Sequence, residues 1–153
     1  MSHDAALTPR APRSPIKITL RATPMAVRDA LAEARGGWRD LGLDPATCAT
    51  AEQVLAEILN NVVEHALPDR PDALVVLECD AAGSGMAFEV RDDGDPMPGL
   101  RLPKGAAADI GEDPALLPEG GFGWFMIRQL TRDLSYRRQD GLNRLRFVID
   151  RRT

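Results

Sequence analysis

Three short clusters of polar and glycine residues, about thirty positions apart, hold the side chains in this sequence that could do chemistry. The first is Glu57-Ile58-Leu59-Asn60-Asn61-Val62-Val63-Glu64-His65-Ala66. On a helix, Glu57, Asn61 and His65 fall at i, i+4 and i+8, along one side. A carboxylate and a carboxamide one turn apart suit a magnesium ion held beside a reacting hydroxyl or water, because magnesium takes oxygen ligands and keeps several waters. The same residues also make an ordinary solvated face opposite an apolar stripe, with His65 satisfied by a hydrogen bond.

The second cluster, Val90-Arg91-Asp92-Asp93-Gly94-Asp95-Pro96, follows a β-rich run. A carboxylate at a strand end can accept from an exocyclic amine, and a glycine two residues later lets a flat ring approach the backbone. A plain Asp-Gly turn is the alternative. The third cluster, Glu119-Gly120-Gly121-Phe122-Gly123-Trp124-Phe125-Met126-Ile127, is a glycine loop opening a helix. Unhindered amides and the positive end of the helix dipole suit phosphate groups. This loop lacks the Gly-Lys-Ser/Thr ending of a P-loop and does not follow a first strand, as a dinucleotide-binding fingerprint would.

The elements that must position these clusters are read from periodicity and punctuation. Residues 1–15 are rich in proline and arginine without periodicity and are expected to form a flexible arm, leaving 16–153 as the domain. Ile16, Ile18 and Leu20 alternate with polar residues, as in a half-buried strand. Thr23-Pro24 and Asp44-Pro45 each read as an N-cap with proline at the first helical position. The Gly36-Gly37 pair is expected to weaken or bend the first helix, and Pro68 to stop the second. The runs 74–79 and 86–91 read as a hairpin, and 134–138 and 143–149 as another around Asp140-Gly141. Between Asp92 and Gly121 the chain is rich in glycine and proline and reads as a functional loop or lid. A third helix follows Gly123. Together these predict a two-layer α/β sandwich, with a mixed, mostly antiparallel sheet of about five strands and three helices on one face.

Length and composition bound the rest. The 153 residues fit one ordinary domain, and 44% hydrophobic against 27% charged residues is a globular balance. A net charge of -4 argues against nucleic acid or an anionic membrane as the main partner. Two cysteines are too few for a disulfide framework, no apolar run approaches a membrane span, and the N-terminus has no secretory apolar region. The expected location is the cytoplasm.

Glu-x3-Asn-x3-His-Ala, then Asp-x-Gly-x-Pro, then a lid, then Gly-Gly-x-Gly before a helix form a conjunction. In this order the chain resembles the GHKL, or Bergerat-fold, ATP-binding superfamily over about residues 16–150, and within it the small serine kinases that act as anti-sigma factors. Leu117-Pro-Glu-Gly-Gly121 and the closing hairpin with Asn143 carry the subfamily likeness. The resemblance implies ATP and magnesium as cofactors, with Glu57 as catalytic base or orienting carboxylate and Asn61 as the magnesium ligand. It makes His65 part of the nucleotide site and puts Asp92 on the adenine amine, with Gly94 making room for the ring. Gly120, Gly121 and Gly123 would present amides to the phosphates. Three features depart from the pattern: Pro96 stands where many members have glycine, Trp124 where a smaller aliphatic residue is usual, and the third cluster has no basic residue. The implied function is an ATP-dependent serine/threonine protein kinase that phosphorylates a STAS-domain anti-sigma-factor antagonist and sequesters a sigma factor, with a homodimer as an option. The alternative is a non-catalytic ATP-binding module of a partner-switching system.

Overall fold

The computed structural model describes residues 15–104 and 121–152. All but the last residue of the expected arm, and positions 105–120 of the expected lid, lie outside the described residues. The strands are β1 (Ile16–Arg21), β2 (Leu74–Ala82), β3 (Gly85–Asp92), β4 (Arg132–Gln139) and β5 (Leu142–Asp150). The helices are α1 (Pro24–Asp40), α2 (Pro45–Asn61) and α3 (Gly121–Leu130).

Both proline starts act as expected. The Thr23 side chain accepts from the Ala26 amide at 3.0 Å, and Asp44 caps α2 through the Thr47 amide at 2.9 Å. Each cap satisfies a donor that the first helical turn leaves without a partner. The Gly36-Gly37 pair does not interrupt α1. A Cβ on Gly37 would lie 2.8 Å from Ile16 Cδ1, so this glycine admits the start of β1 against the helix.

The sheet has the order β1-β2-β3-β5-β4. Every pairing in it is antiparallel, where a mixed but mostly antiparallel sheet was expected. The reason lies in the connections. α1 and α2 carry the chain away and back, so β2 starts beside the end of β1, with Arg21 opposite Leu74. The β2–β3 and β4–β5 pairs close through two-residue loops, with Gly83 at φ 58° in one and Asp140 and Gly141 at φ 54° and 76° in the other. Positive φ at both central residues is the type I′ geometry that matches strand twist, and it favours an Asp-Gly pair.

One sheet face and the helices enclose the core. Phe88 and Phe147 stack at 5.0 Å across β3 and β5, and Trp38 of α1 meets Phe88 edge-on at 6.0 Å. Leu55, Ile58 and Leu59 of α2 are fully buried against the same cluster. Offset and edge-on ring pairs add to simple burial, so these contacts pin the helices to the strands that carry the site. No described helix is long and apolar enough to cross a membrane.

Candidate functional site

A cavity of about 650 Å³ opens between the end of α2, the end of β3, the start of α3 and the β4–β5 hairpin. That is the size range of small-molecule and cofactor sites. Ile58, Val62, Val90, Trp124 and Leu145 supply apolar wall, and Asn61, His65, Asp92, Asp95, Tyr136 and Asn143 bring polar groups to it. Residues of all three sequence clusters therefore meet in one place, the third through Trp124.

The end of α2 departs from the expected regular helix. Residues Val62–Ala66 form a π turn, in which the Leu67 amide donates to the Val62 carbonyl at 2.9 Å. Two β-branched valines crowd this turn, and Pro68 prevents further continuation. π turns recur at functional sites, and here the Ala66 carbonyl, at the end of the turn, is one of those that a helix end leaves without an intrahelical partner. That carbonyl accepts from the Asp95 amide at 2.8 Å. A Cβ on Gly94 would collide with the Ala66 carbonyl oxygen and lie 2.6 Å from its carbon. Gly94 thus lets the loop after β3 seat against the helix end, a close-approach role beside the ring clearance expected of it.

Asp92 closes β3 and is 4% exposed. Its Oδ2 accepts from the Gly94 amide at 2.8 Å and from Asn143 Nδ2 at 3.0 Å. Burial pushes its carboxyl above the usual range, against the lowering effect of these two donors. Asn143 Nδ2 also faces the Gly94 carbonyl at 3.4 Å and the Asp95 carbonyl at 2.9 Å. On its other side Asn143 Oδ1 accepts from Tyr136 Oη at 2.7 Å and Arg138 Nη1 at 3.0 Å. Arg138 donates to the Gly94 carbonyl at 2.5 Å, and Tyr136 Oη accepts from the Met97 amide at 3.0 Å. Register builds this network, because Asp92 pairs with Asn143 and Asn143 with Arg138 across three strands.

Asn61 lines the cavity, and its Nδ2 is buried without a hydrogen-bond partner among the described residues. A buried amide left unmatched carries a free-energy cost and suits a site awaiting an oxygen ligand. His65 also lines the cavity, with its side chain more than half exposed and Glu64 at 3.9 Å. Glu57 is half-buried and is not part of the cavity wall. It lies one turn before Asn61 against α3: a Cβ on Gly123 would stand 2.7 Å from Glu57 Cδ and Oε2. The first and third clusters are therefore in contact through Glu57 and Gly123. Gly121 begins α3, whereas Gly120 lies outside the described residues.

Trp124, noted in the sequence only as a departure, is buried and forms part of the wall. Tyr136 and Arg138 were not singled out at all. Their signal was present in the Asp140-Gly141 hairpin, whose register sets Arg138 opposite Asn143 and Tyr136 two residues earlier on the same face. Among the described residues lining the cavity none is lysine or arginine. Arg128 of α3 instead holds the wall residue Pro103, donating to its carbonyl from Nε at 3.0 Å and Nη2 at 2.8 Å.

Comparison with known proteins agrees with this geometry. The family model described as a histidine kinase-like ATPase domain matches residues 20–149. No curated protein matches the chain. Among solved structures, the chain is similar to the RsbU and RsbW domains of Rv1364c from Mycobacterium tuberculosis, at 21% identity and a TM-score of 0.61, covering 93% of this chain and 34% of that one. It is also similar to the Erythrobacter litoralis EL346 blue-light activated histidine kinase, at 20% identity and a TM-score of 0.50, covering 71% of this chain and 31% of that one. The chain thus spans about a third of the length of each, and at these identities the likeness is one of fold. With most of its length inside the match and its sandwich agreeing with that fold, the chain belongs to the histidine kinase-like ATPase domain family.

Proposed function

We propose that this chain is an ATP-dependent serine/threonine protein kinase that acts as an anti-sigma factor in the cytoplasm, phosphorylating a STAS-domain antagonist and sequestering a sigma factor. The observation that carries the nucleotide part is the cavity holding the partnerless Asn61 amide and the buried Asp92 carboxylate between apolar walls. Family membership implies an ATP site, and the subfamily likeness at Leu117–Gly121 and the closing hairpin supports the protein-kinase part. The fold shared with a structure containing an RsbW domain agrees with it.

In this reading Asp92 accepts from the purine amine, and Gly94 keeps the loop clear of the ring. Ile58, Val90, Trp124 and Leu145 exclude water around the base. Phosphoryl transfer asks a protein mostly to position groups and to stabilise spread negative charge. In the same reading the amides of Gly121 and Gly123, at the positive end of α3, bind the phosphates, a role the sequence motif also gives to Gly120. Asn61 would hold magnesium through its amide oxygen, with phosphate oxygens and water completing the shell, since magnesium takes oxygen ligands and keeps several waters. Magnesium held there would supply neutralisation of phosphate charge. Glu57 orients the acceptor hydroxyl and takes its proton. Phosphorylation then adds about 1.5 to 2 negative charges to the antagonist, which switches partners by repulsion at the interface.

The placement of Glu57 off the cavity wall favours one second reading, a non-catalytic ATP-binding module that regulates its partner. Incubation with labelled Mg-ATP and the antagonist separates the two. Labelled antagonist with the wild type, lost in Glu57→Ala while nucleotide affinity survives, supports the kinase. An antagonist that stays unlabelled under saturating conditions removes it.

A further inference from the structure

Among the described residues, the side-chain hydrogen bonds that link β4 to Asp92 run through Asn143. Two donors, Tyr136 Oη and Arg138 Nη1, hold its Oδ1, while its Nδ2 faces three acceptors, Asp92 Oδ2 and the carbonyls of Gly94 and Asp95. Inverting the amide would set oxygen against three acceptors and NH2 against two donors, so its orientation is fixed by the surrounding groups. Asp92 consequently meets only donors within the protein, from Gly94 and Asn143, and both bond to Oδ2. The other charged groups near this carboxylate are Arg138 and Asp93, with Asp95 and His65 on the cavity wall.

We propose that Tyr136 and Arg138, acting through Asn143, hold Asp92 as a pure acceptor, so that the cavity selects a purine bearing an amine at C6 over one bearing a carbonyl there. Tyr136, Arg138 and Asn143 are positioning residues: they set the hydrogen-bonding polarity of the group that meets the base. A carbonyl ring would oppose its lone pairs to those of Oδ1, and a site built to bond a donor rejects an analogue that lacks it. The inference rests on reading the cavity as an adenine nucleotide site.

Dissociation constants for Mg-ATP and Mg-ITP, which differ in the substituent at purine C6 and in the proton that the 6-oxo ring carries on N1, test it on the full chain and on Asn143→Asp and Tyr136→Phe. Asn143→Asp keeps the shape but sets a second carboxylate against Asp92, and two carboxylates that close share a proton, which lets Asp92 donate. The wild type should favour ATP by about 100-fold or more. Asn143→Asp should narrow that ratio by about tenfold, partly through tighter ITP binding, the worth of one net hydrogen bond. Tyr136→Phe leaves Arg138 in place and should narrow it by about two- to fivefold. A merely structural role would weaken both nucleotides alike and leave the ratio where it was. Variants that melt cooperatively yet keep the wild-type ratio overturn the inference while ATP binding stands, and Tyr136→Phe carries the test should Asn143→Asp fail to fold. A wild type that binds ATP and ITP equally also overturns it, whereas one that binds neither removes the nucleotide reading itself.

Discussion

Substituting alanine at Gly94 and at Gly123 should have opposite consequences for stability and activity, although both glycines are tightly enclosed. At Gly94 the new methyl group meets backbone, the Ala66 carbonyl oxygen and a carbon at 2.6 Å. Neither can swing aside, because the same carbonyl is bonded to the Asp95 amide. Overpacking of this kind costs about 1–3 kcal/mol or more, and in a domain of this size each kcal/mol lowers Tm by roughly 2–4 °C. At Gly123 the methyl group meets the end of a half-buried Glu57 side chain, with Cγ at 3.0 Å and the carboxylate closer. That side chain can change rotamer for about 1 kcal/mol, which the gain in helix propensity of up to about 1 kcal/mol offsets. Gly123→Ala should therefore melt within about 3 °C of wild type. It should lose antagonist phosphorylation by about 10²-fold or more, since a displaced proton acceptor forfeits what general-base catalysis supplies. Thermal melts by circular dichroism and initial rates with labelled Mg-ATP give both quantities. A Gly123→Ala variant that turns over normally would refute the role given to the Glu57 contact, and a Gly94→Ala variant as stable as wild type would refute the clamp on Ala66.

Three further outcomes follow from the same geometry. Burial holds the Asp92 carboxyl above its ordinary range in the folded state, so its contribution to stability is fully present below the unfolded value and is lost as pH rises through the folded one. Asp92→Asn should accordingly raise the Tm of the nucleotide-free protein more at pH 8 than at pH 4, while abolishing ATP binding. On the open sheet face Glu89 is 2% exposed and accepts from Arg91 Nη1 and Arg146 Nε, each at 2.6 Å. Burial alone would raise its carboxyl, but the two arginines outweigh it and hold the group below its usual range. Glu89→Ala should then destabilise by about 1.5–3 kcal/mol at neutral pH, since Arg91 keeps its pairing with Glu78 and Arg146 reaches solvent, and the gap in Tm should close as acid carries the wild type through that lowered value. Asn61→Ala should reduce ATP affinity in magnesium buffer and leave magnesium-free binding nearly unchanged, as calorimetry in the two buffers would show.

What could be read in advance was local. Thr23-Pro24, Asp44-Pro45 and Asp140-Gly141 each name a cap or turn by their own chemistry, and all three are used as read. The apolar stripe of α2 was legible because it obeys helical spacing, and Ala51, Leu55, Ile58 and Leu59 are buried. What escaped depends on distant partners. The Gly36-Gly37 pair read as a weak point because the contact that uses it, Ile16, belongs to another element. The antiparallel pairing of β1 with β2 follows from how two helices return the chain, which no strand records. In the site, Asn61, His65 and Asp92 were legible through their spacing and do share one cavity. Tyr136 and Arg138 were not, because their importance comes from register with Asn143 across a turn. The bond from the Asp95 amide to the Ala66 carbonyl at the end of the π turn was not legible either, because it joins positions far apart in the chain.

Equilibrium binding of Mg-ATP to the wild type and to Asp92→Ala is the most direct test of the cavity's assignment. One saturable site should appear in the wild type, with a stabilisation of about 2.7 kcal/mol at 100 times the dissociation constant, and should vanish in a folded Asp92→Ala variant. Equal affinity in the two proteins, or no binding to the wild type, would contradict the assignment.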